Sequence, residues 1–126
     1  MKEIISTNQA PAPIGPYSQA VFIKDTLYTS GQIALNAETG QLVLDDIRTE
    51  TQQVMENLKA VLNAANMSFE QVVKTSIFIA DMNDFGAINE VYGSYINHET
   101  APARETVQVA RLPKDVNVEI SMIAVR

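Results

Sequence analysis

The sequence predicts a single α+β domain over residues 1–126, a mixed sheet with two helices packed on one of its faces. Three observations carry that prediction. Apolar residues alternate with polar ones near both ends of the chain and in its middle, the period of strands. Two segments between those strands show helical spacing, and two helices can cover only one face of a sheet. Finally, 126 residues at 46% hydrophobic content are enough for one true core.

The run Ala10-Pro11-Ala12-Pro13-Ile14-Gly15-Pro16 opens the folded part. Its prolines fix φ and remove donors, so an ordered extended segment is expected there. Tyr17 to Ile23 and Thr26 to Ile33 read as two strands around a tight turn at Lys24-Asp25. Gly31 falls inside the second, where glycine marks a bulge or a close backbone approach. Arg48 to Ala65 reads as a helix, with Val54, Leu58, Val61, Leu62 and Ala65 inward and Glu50, Gln53, Glu56, Lys59 and Asn63 mostly outward. Asp45 or Asp46 can cap its start and Asn66 can follow its end. Phe69 to Ala80 reads as a strand with Val73, Ile77 and Ile79 on the core side. Asp81 to Asp84 offers caps for a second helix reaching about Ile96, its buried stripe being Phe85, Ile88, Tyr92 and either Tyr95 or Ile96.

Residues Ala103 to Arg126 form two alternating runs joined by Leu-Pro-Lys-Asp, a hairpin signature. The register that sets Val107 and Val109 against Val116, Val118 and Ile120 collects Arg104, Thr106, Asn117, Glu119 and Ser121 on the other face. An arginine and a carboxylate on one stiff hairpin suit a small anion. A plain solvated hairpin would show the same pattern. The face not covered by helices also carries Ile123 and Val125, too apolar for a wet surface. Burial by another copy is the simplest remedy, with the Arg104–Glu119 face near the subunit boundary.

Composition narrows the chemistry. Cysteine is absent, which excludes disulfides, thiolate nucleophiles and cysteine-held metals. The one histidine, His98, sits in the polar run Asn97 to Thr100 and reads as a solvated loop residue. No metal and no cofactor are expected. A net charge of −6, with nine scattered Lys and Arg, lowers the prospect of nucleic-acid binding. No apolar run approaches a membrane span, and Met1 to Thr7 lacks the apolar stretch of a signal peptide. A cytoplasmic protein without membrane partners is expected.

Three segments and the closing signature carry a family resemblance. They are Ile14-Gly15-Pro16-Tyr17-Ser18-Gln19, Thr29-Ser30-Gly31-Gln32-Ile33, Lys74 through Tyr92, and Pro102-Ala103-Arg104 through Val125. Through them the chain, essentially along its whole length, resembles the reactive-intermediate deaminase family, RidA or YjgF. The resemblance implies a chorismate-mutase-like subunit, a homotrimer whose sheets form a central barrel, and three ligand clefts between subunits. It implies hydrolysis of 2-aminoacrylate, 2-iminopropanoate or 2-iminobutanoate to 2-oxo acids and ammonia. Residue by residue, Arg104 matches the arginine that holds the substrate carboxylate, and Glu119 the glutamate near the attacking water. Tyr17, Ser30 and Gly31 match pocket-lining residues, and Asn89 a polar helix residue facing the pocket. Two positions depart from the pattern. Thr106 stands where many members have cysteine, and Ser121 where many have a second glutamate. The resemblance then implies that a hydroxyl can line the pocket in place of a thiol, and Glu119 is left as the only carboxylate at that end.

Imine hydrolysis suits this toolkit. Arg104 offers a planar fork of donors for a carboxylate, and Glu119 can take a proton from water. Two other functions use the same surface. A sensor of small 2-oxo or amino acids would need the same site without turnover. A ribonuclease or translation inhibitor, a label some relatives carry, fits the acidic balance and the exposed-looking His98 poorly.

Overall fold

Six strands form one sheet, and the elements follow the chain order read from the sequence, but the pairing near the C-terminal end differs. A computed structural model describes residues 1–126. In it β1 (Glu3–Ile5), β2 (Ala20–Ile23) and β3 (Thr26–Thr29) precede the helix α1 (Ile47–Ala64). After it come β4 (Val72–Ile79), α2 (Phe85–Ser94), β5 (Ala103–Gln108) and β6 (Val118–Val125). The sheet runs β1-β2-β3-β6-β4-β5.

The terminal hairpin does not form. β4 lies between β5 and β6, parallel to the first and antiparallel to the second. A parallel neighbour needs a long crossover, and α2 supplies it between β4 and β5. The connection from β5 to β6 then arches over the end of β4, where Val109 N–H donates to the Ile79 carbonyl (2.9 Å) and Ala80 N–H to the Asn117 carbonyl (3.0 Å). β4 takes the centre because it alternates cleanly, with Thr75, Ile77 and Ile79 buried, whereas no residue of β5 is buried. A strand like β5 belongs at an edge.

This register splits the residues that the hairpin would have gathered. Thr75 pairs with both Arg104 and Met122, and Phe78 with both Val107 and Glu119. Residues opposite each other share a face and neighbours alternate, so Arg104 and Thr106 lie on the helix-covered face and Glu119 and Ser121 on the open one.

The core sits between α1 and the sheet. Val54, Met55, Leu58 and Val61 are fully buried and cluster with Leu27, Ile77, Ile120 and Ala124. Each of the Val, Leu, Ile and Met side chains among them contributes about 1.5–3 kcal/mol on burial. Asp46 caps α1 by accepting from Thr49 N–H at 2.8 Å, and that bond lowers its carboxyl below the ordinary range. Asn66 takes the left-handed conformation (φ 58°) past the other end, letting Met67 N–H reach the Leu62 carbonyl.

Val107, expected on the core side, is exposed on the open face, and two further inward-outward assignments reverse. A register shift between Val72 and Lys74 turns Val72 inward and leaves Val73 exposed. Glu50, expected on the outer side of α1, is fully buried; it accepts from Asn117 N–H and from Asn117 Nδ2, both at 2.7 Å. A buried carboxylate needs such partners, and the pair ties α1 to the start of β6. No helix is long and apolar enough to cross a membrane.

Candidate functional site

On the helix-covered face the site is built around Arg104. Phe85, Asn89 and Tyr92 recur at i, i+4 and i+7 along α2, which puts them on one face beside the β5 edge. Arg104 Nη1 donates to Asn89 Oδ1 at 2.6 Å. Its guanidinium carbon lies 5.7 Å from the Phe85 ring centre and 5.3 Å from that of Tyr92. These distances are within cation–π range. The Tyr92 hydroxyl donates to Thr75 Oγ1 at 3.0 Å, and Thr75 is the ladder partner of Arg104. Burial pushes the Tyr92 phenol up, countered in part by Thr75 and Arg104.

No carboxylate pairs with Arg104. The ion pairs are Arg48–Glu90, Lys74–Glu105 and Arg111–Asp115. Glu105, an obvious rival partner, is held by Lys74 (2.5 Å) and Ser76, and both bonds lower its carboxyl below the usual range. Arg104 is thus an exposed cation, oriented by an amide and two rings, with its charge unneutralised. Beside it lies a cavity of about 270 Å³ lined by Asn89, Tyr92, Ile96, His98 and Arg104 among others. His98 is exposed, as read from its polar surroundings, with Nε2 2.9 Å from the Gly93 carbonyl. Two residues beyond Arg104 on the same face, the Thr106 hydroxyl is buried without a hydrogen-bond partner. It is not available as a solvent-facing group of this chain alone.

The second half lies across the sheet. Glu119 is half-buried on the open face and forms no ion pair. Its desolvation raises the carboxyl above its ordinary value of 4.5. Gly31 packs directly against that carboxylate. It follows β3, outside the strand in which it was expected. The next residue, Gln32, bridges to Ile120 through N–H···O bonds of 2.8 and 3.1 Å. Asn57 on α1 donates to the carbonyls of Ile33 (3.1 Å) and Leu35 (2.9 Å), fixing the segment that leaves Gly31.

Tyr17 and Ser30 belong to this half. Buried Gln19 ties down the proline-rich segment, donating to the Thr7, Ala10 and Pro11 carbonyls and accepting from Thr7 N–H at 2.7 Å. Tyr17 is then held beside Gly15, its hydroxyl accepting from Ile14 N–H at 3.3 Å. Ser30 Oγ donates to the Ser18 carbonyl at 2.5 Å, so its proton is committed to structure and its oxygen remains only as an acceptor. Tyr17 and Gly31 line one cavity of about 260 Å³.

The structure therefore brings together Arg104 with Asn89, and Glu119 with Gly31, but places the two groups on opposite faces. Phe85 and Tyr92 were read only as core stripe; the signal missed was Asn89 standing between them at helical spacing. Gln19 and Thr75 lie in the family segments but, like Asn57, are assigned no role by the sequence, since buried polar residues that hold loops or rings show no period. No group of three or more His, Cys, Asp or Glu side chains converges to hold a metal.

Comparison with known proteins agrees with this architecture. The family model described as Endoribonuclease L-PSP matches residues 7–126. A RutC family protein of Pyrococcus horikoshii is 51% identical over 98% of this chain and 98% of its own length. The mouse protein named 2-iminobutanoate/2-iminopropanoate deaminase is 48% identical over all of this chain and 93% of its own. Among solved structures, a Rid family protein from Yersinia pestis superposes with a TM-score of 0.97 at 45% identity, covering all of both chains. E. coli TdcF with bound serine superposes with a TM-score of 0.93 at 45% identity, covering 98% of each. With so long a match and the same fold, this chain belongs to the Endoribonuclease L-PSP family, the YjgF/RidA proteins.

Proposed function

We propose that the protein hydrolyses small 2-imino acids and their enamine tautomers to 2-oxo acids and ammonia, in cytoplasmic homotrimers whose clefts are completed by neighbouring subunits. The observation that carries the reading is the unpaired, aromatic-cradled Arg104, a cation built to receive a small carboxylate. The mouse relative bears the name of this activity, and TdcF was solved with serine, a small amino acid.

Arg104 and Glu119 cannot serve one small substrate within a single copy, because the sheet separates them. Two copies can, if the Arg104 edge of one faces the Glu119 face of the next. The open face supports such packing. Tyr28 and Val125, paired with Ile123 and Thr26, share it with Val107, and all three are exposed apolar side chains. This is the face expected to be covered by another copy, and a closed trimer with a central barrel covers it in every subunit.

In that cleft Arg104 holds the carboxylate through charge-assisted bonds worth about 1.5–3 kcal/mol each. C2 is thereby fixed beside a water that faces Glu119. The substrate enters as the protonated iminium; the water oxygen bonds to C2 as Glu119 takes the water's proton and the C=N electron pair goes to nitrogen, giving a neutral carbinolamine. Return of the proton from Glu119 to nitrogen lets the C–N bond break. Glu119, again a carboxylate, takes the hydroxyl proton as C=O forms and ammonia leaves, and then releases that proton to solvent. Desolvation suits Glu119 to this exchange, since a carboxyl raised toward neutral both accepts and returns a proton readily. Tyr17, Ser30 and Gly31 shape the cleft around C3, and Thr106 closes its wall. Ammonia release from 2-aminoacrylate generated in situ by a serine dehydratase tests the reading; no rate above the uncatalysed one overturns it.

A further inference from the structure

We propose that the cavity beside Gly31 receives the substrate's side chain, and that Lys114 fits it to imino acids carrying a second acidic group; this rests on the site reading above. The cavity, about 260 Å³, exceeds what a three-carbon imine needs. Its walls include Ile14, Ile33 and Leu35, and Lys114 is the only charged residue that lines it. A cavity with an apolar wall, the neutral polar side chains of Tyr17, Gln19 and Gln32, and a single placed charge suits a short chain of methylenes ending in the opposite charge.

The backbone at Lys114 points the same way. Lys114 and Asp115 both have φ of 56°, the left-handed region that side chains disfavour and glycine enters freely. Strain of this kind persists where surrounding structure enforces it, and it clusters at ligand sites. Here the enforcement is visible. Pro113 fixes the preceding φ, buried Leu112 anchors the turn, and Arg111 grips Asp115 through two bonds of 2.6 and 3.1 Å. Arg111 and Asp115 thus neutralise each other, while Lys114 has no ion-pair partner. A glycine would relieve the turn, yet a lysine occupies it.

Calorimetric binding of 2-oxoglutarate and 2-oxobutanoate to the assembled protein tests this without requiring turnover. The wild type is expected to bind 2-oxoglutarate about tenfold more tightly, the lower end for one added charge-assisted hydrogen bond. Lys114→Met is expected to erase that preference. Lys114→Gly should erase it too, and raise the melting temperature by relieving the turn. An unchanged affinity ratio in Lys114→Met, or no preference in the wild type, overturns the proposal. A Lys114-dependent preference in a protein that releases no ammonia upholds the subsite and counts against hydrolysis alone.

Discussion

The backbone of Gly31 and the carboxylate of Glu119 occupy adjoining space: a Cβ at Gly31 would fall 2.2 Å from Glu119 Oε2 and 2.8 Å from its Cδ. The atoms in the way are the far end of a flexible side chain, so Gly31→Ala should displace the carboxylate and spare the fold. Melting temperature should change little. Ammonia release should fall about a hundredfold, the effect of moving a reacting group by roughly 1 Å. Wild-type rates in Gly31→Ala would show that the position of Glu119 is unimportant.

Glu119 also sets a pH dependence. Its folded carboxyl is raised by desolvation, so the fold favours the protonated form. That contribution is fully present below the unfolded value, near 4.5, and is lost as pH rises through the higher folded value. Glu119→Gln is therefore expected to be more stable than wild type at neutral pH, with the gap closing on acidification. The rising acid limb of the wild-type kcat/KM profile should have its midpoint above 4.5. Thermal melts of both proteins and the wild-type rate profile, taken from acid to neutral pH, check both.

The rings beside Arg104 orient it. Tyr92→Leu and Phe85→Leu each remove one cation–π contact, worth roughly 0.5–1 kcal/mol at an exposed site. Each should raise KM two- to fivefold by that magnitude and move kcat less. Arg104→Lys keeps the charge but loses the planar fork, and its loss should be larger. Equal losses in kcat and kcat/KM for the ring variants would mean the rings do something other than position a binding group.

Glu50 governs stability rather than chemistry. Glu50→Ala leaves Asn117 N–H and Nδ2 without their acceptor, a loss of about 1–3 kcal/mol per buried donor. Glu50→Gln keeps one acceptor oxygen and should be milder. Denaturant midpoints for the two variants decide whether this pair holds α1 to β6.

Much of the fold was legible because periodicity reports local geometry. The span of α1, its Asp46 cap, Asn66 beyond its end and the Lys24-Asp25 turn follow from spacing and turn chemistry alone. Sheet order was not legible. β5 and β6 alternate as hairpin arms do, and nothing in either strand shows that β4, far away in sequence, pairs with both. The error had a functional consequence, since a hairpin register puts Arg104 and Glu119 on one face and the observed sheet puts them on two. Val73 escaped because a bulge shifts the pattern by one residue, and Glu50 because a charged residue at helical spacing reads as solvated. Strand patterning picked out Arg104, Thr106, Glu119 and Gly31, the family resemblance added Tyr17, Ser30 and Asn89, and only coordinates could divide them into two halves.

That division makes subunit mixing the most direct test. Arg104→Ala and Glu119→Gln, each inactive alone, should be unfolded together at equal amounts, refolded and assayed. With each cleft drawing Arg104 from one copy and Glu119 from the next, roughly one site in four receives both intact residues. Activity approaching a quarter of wild type is expected on that basis. A mixture that forms hybrid oligomers yet stays as inactive as its parents would contradict a site shared between copies.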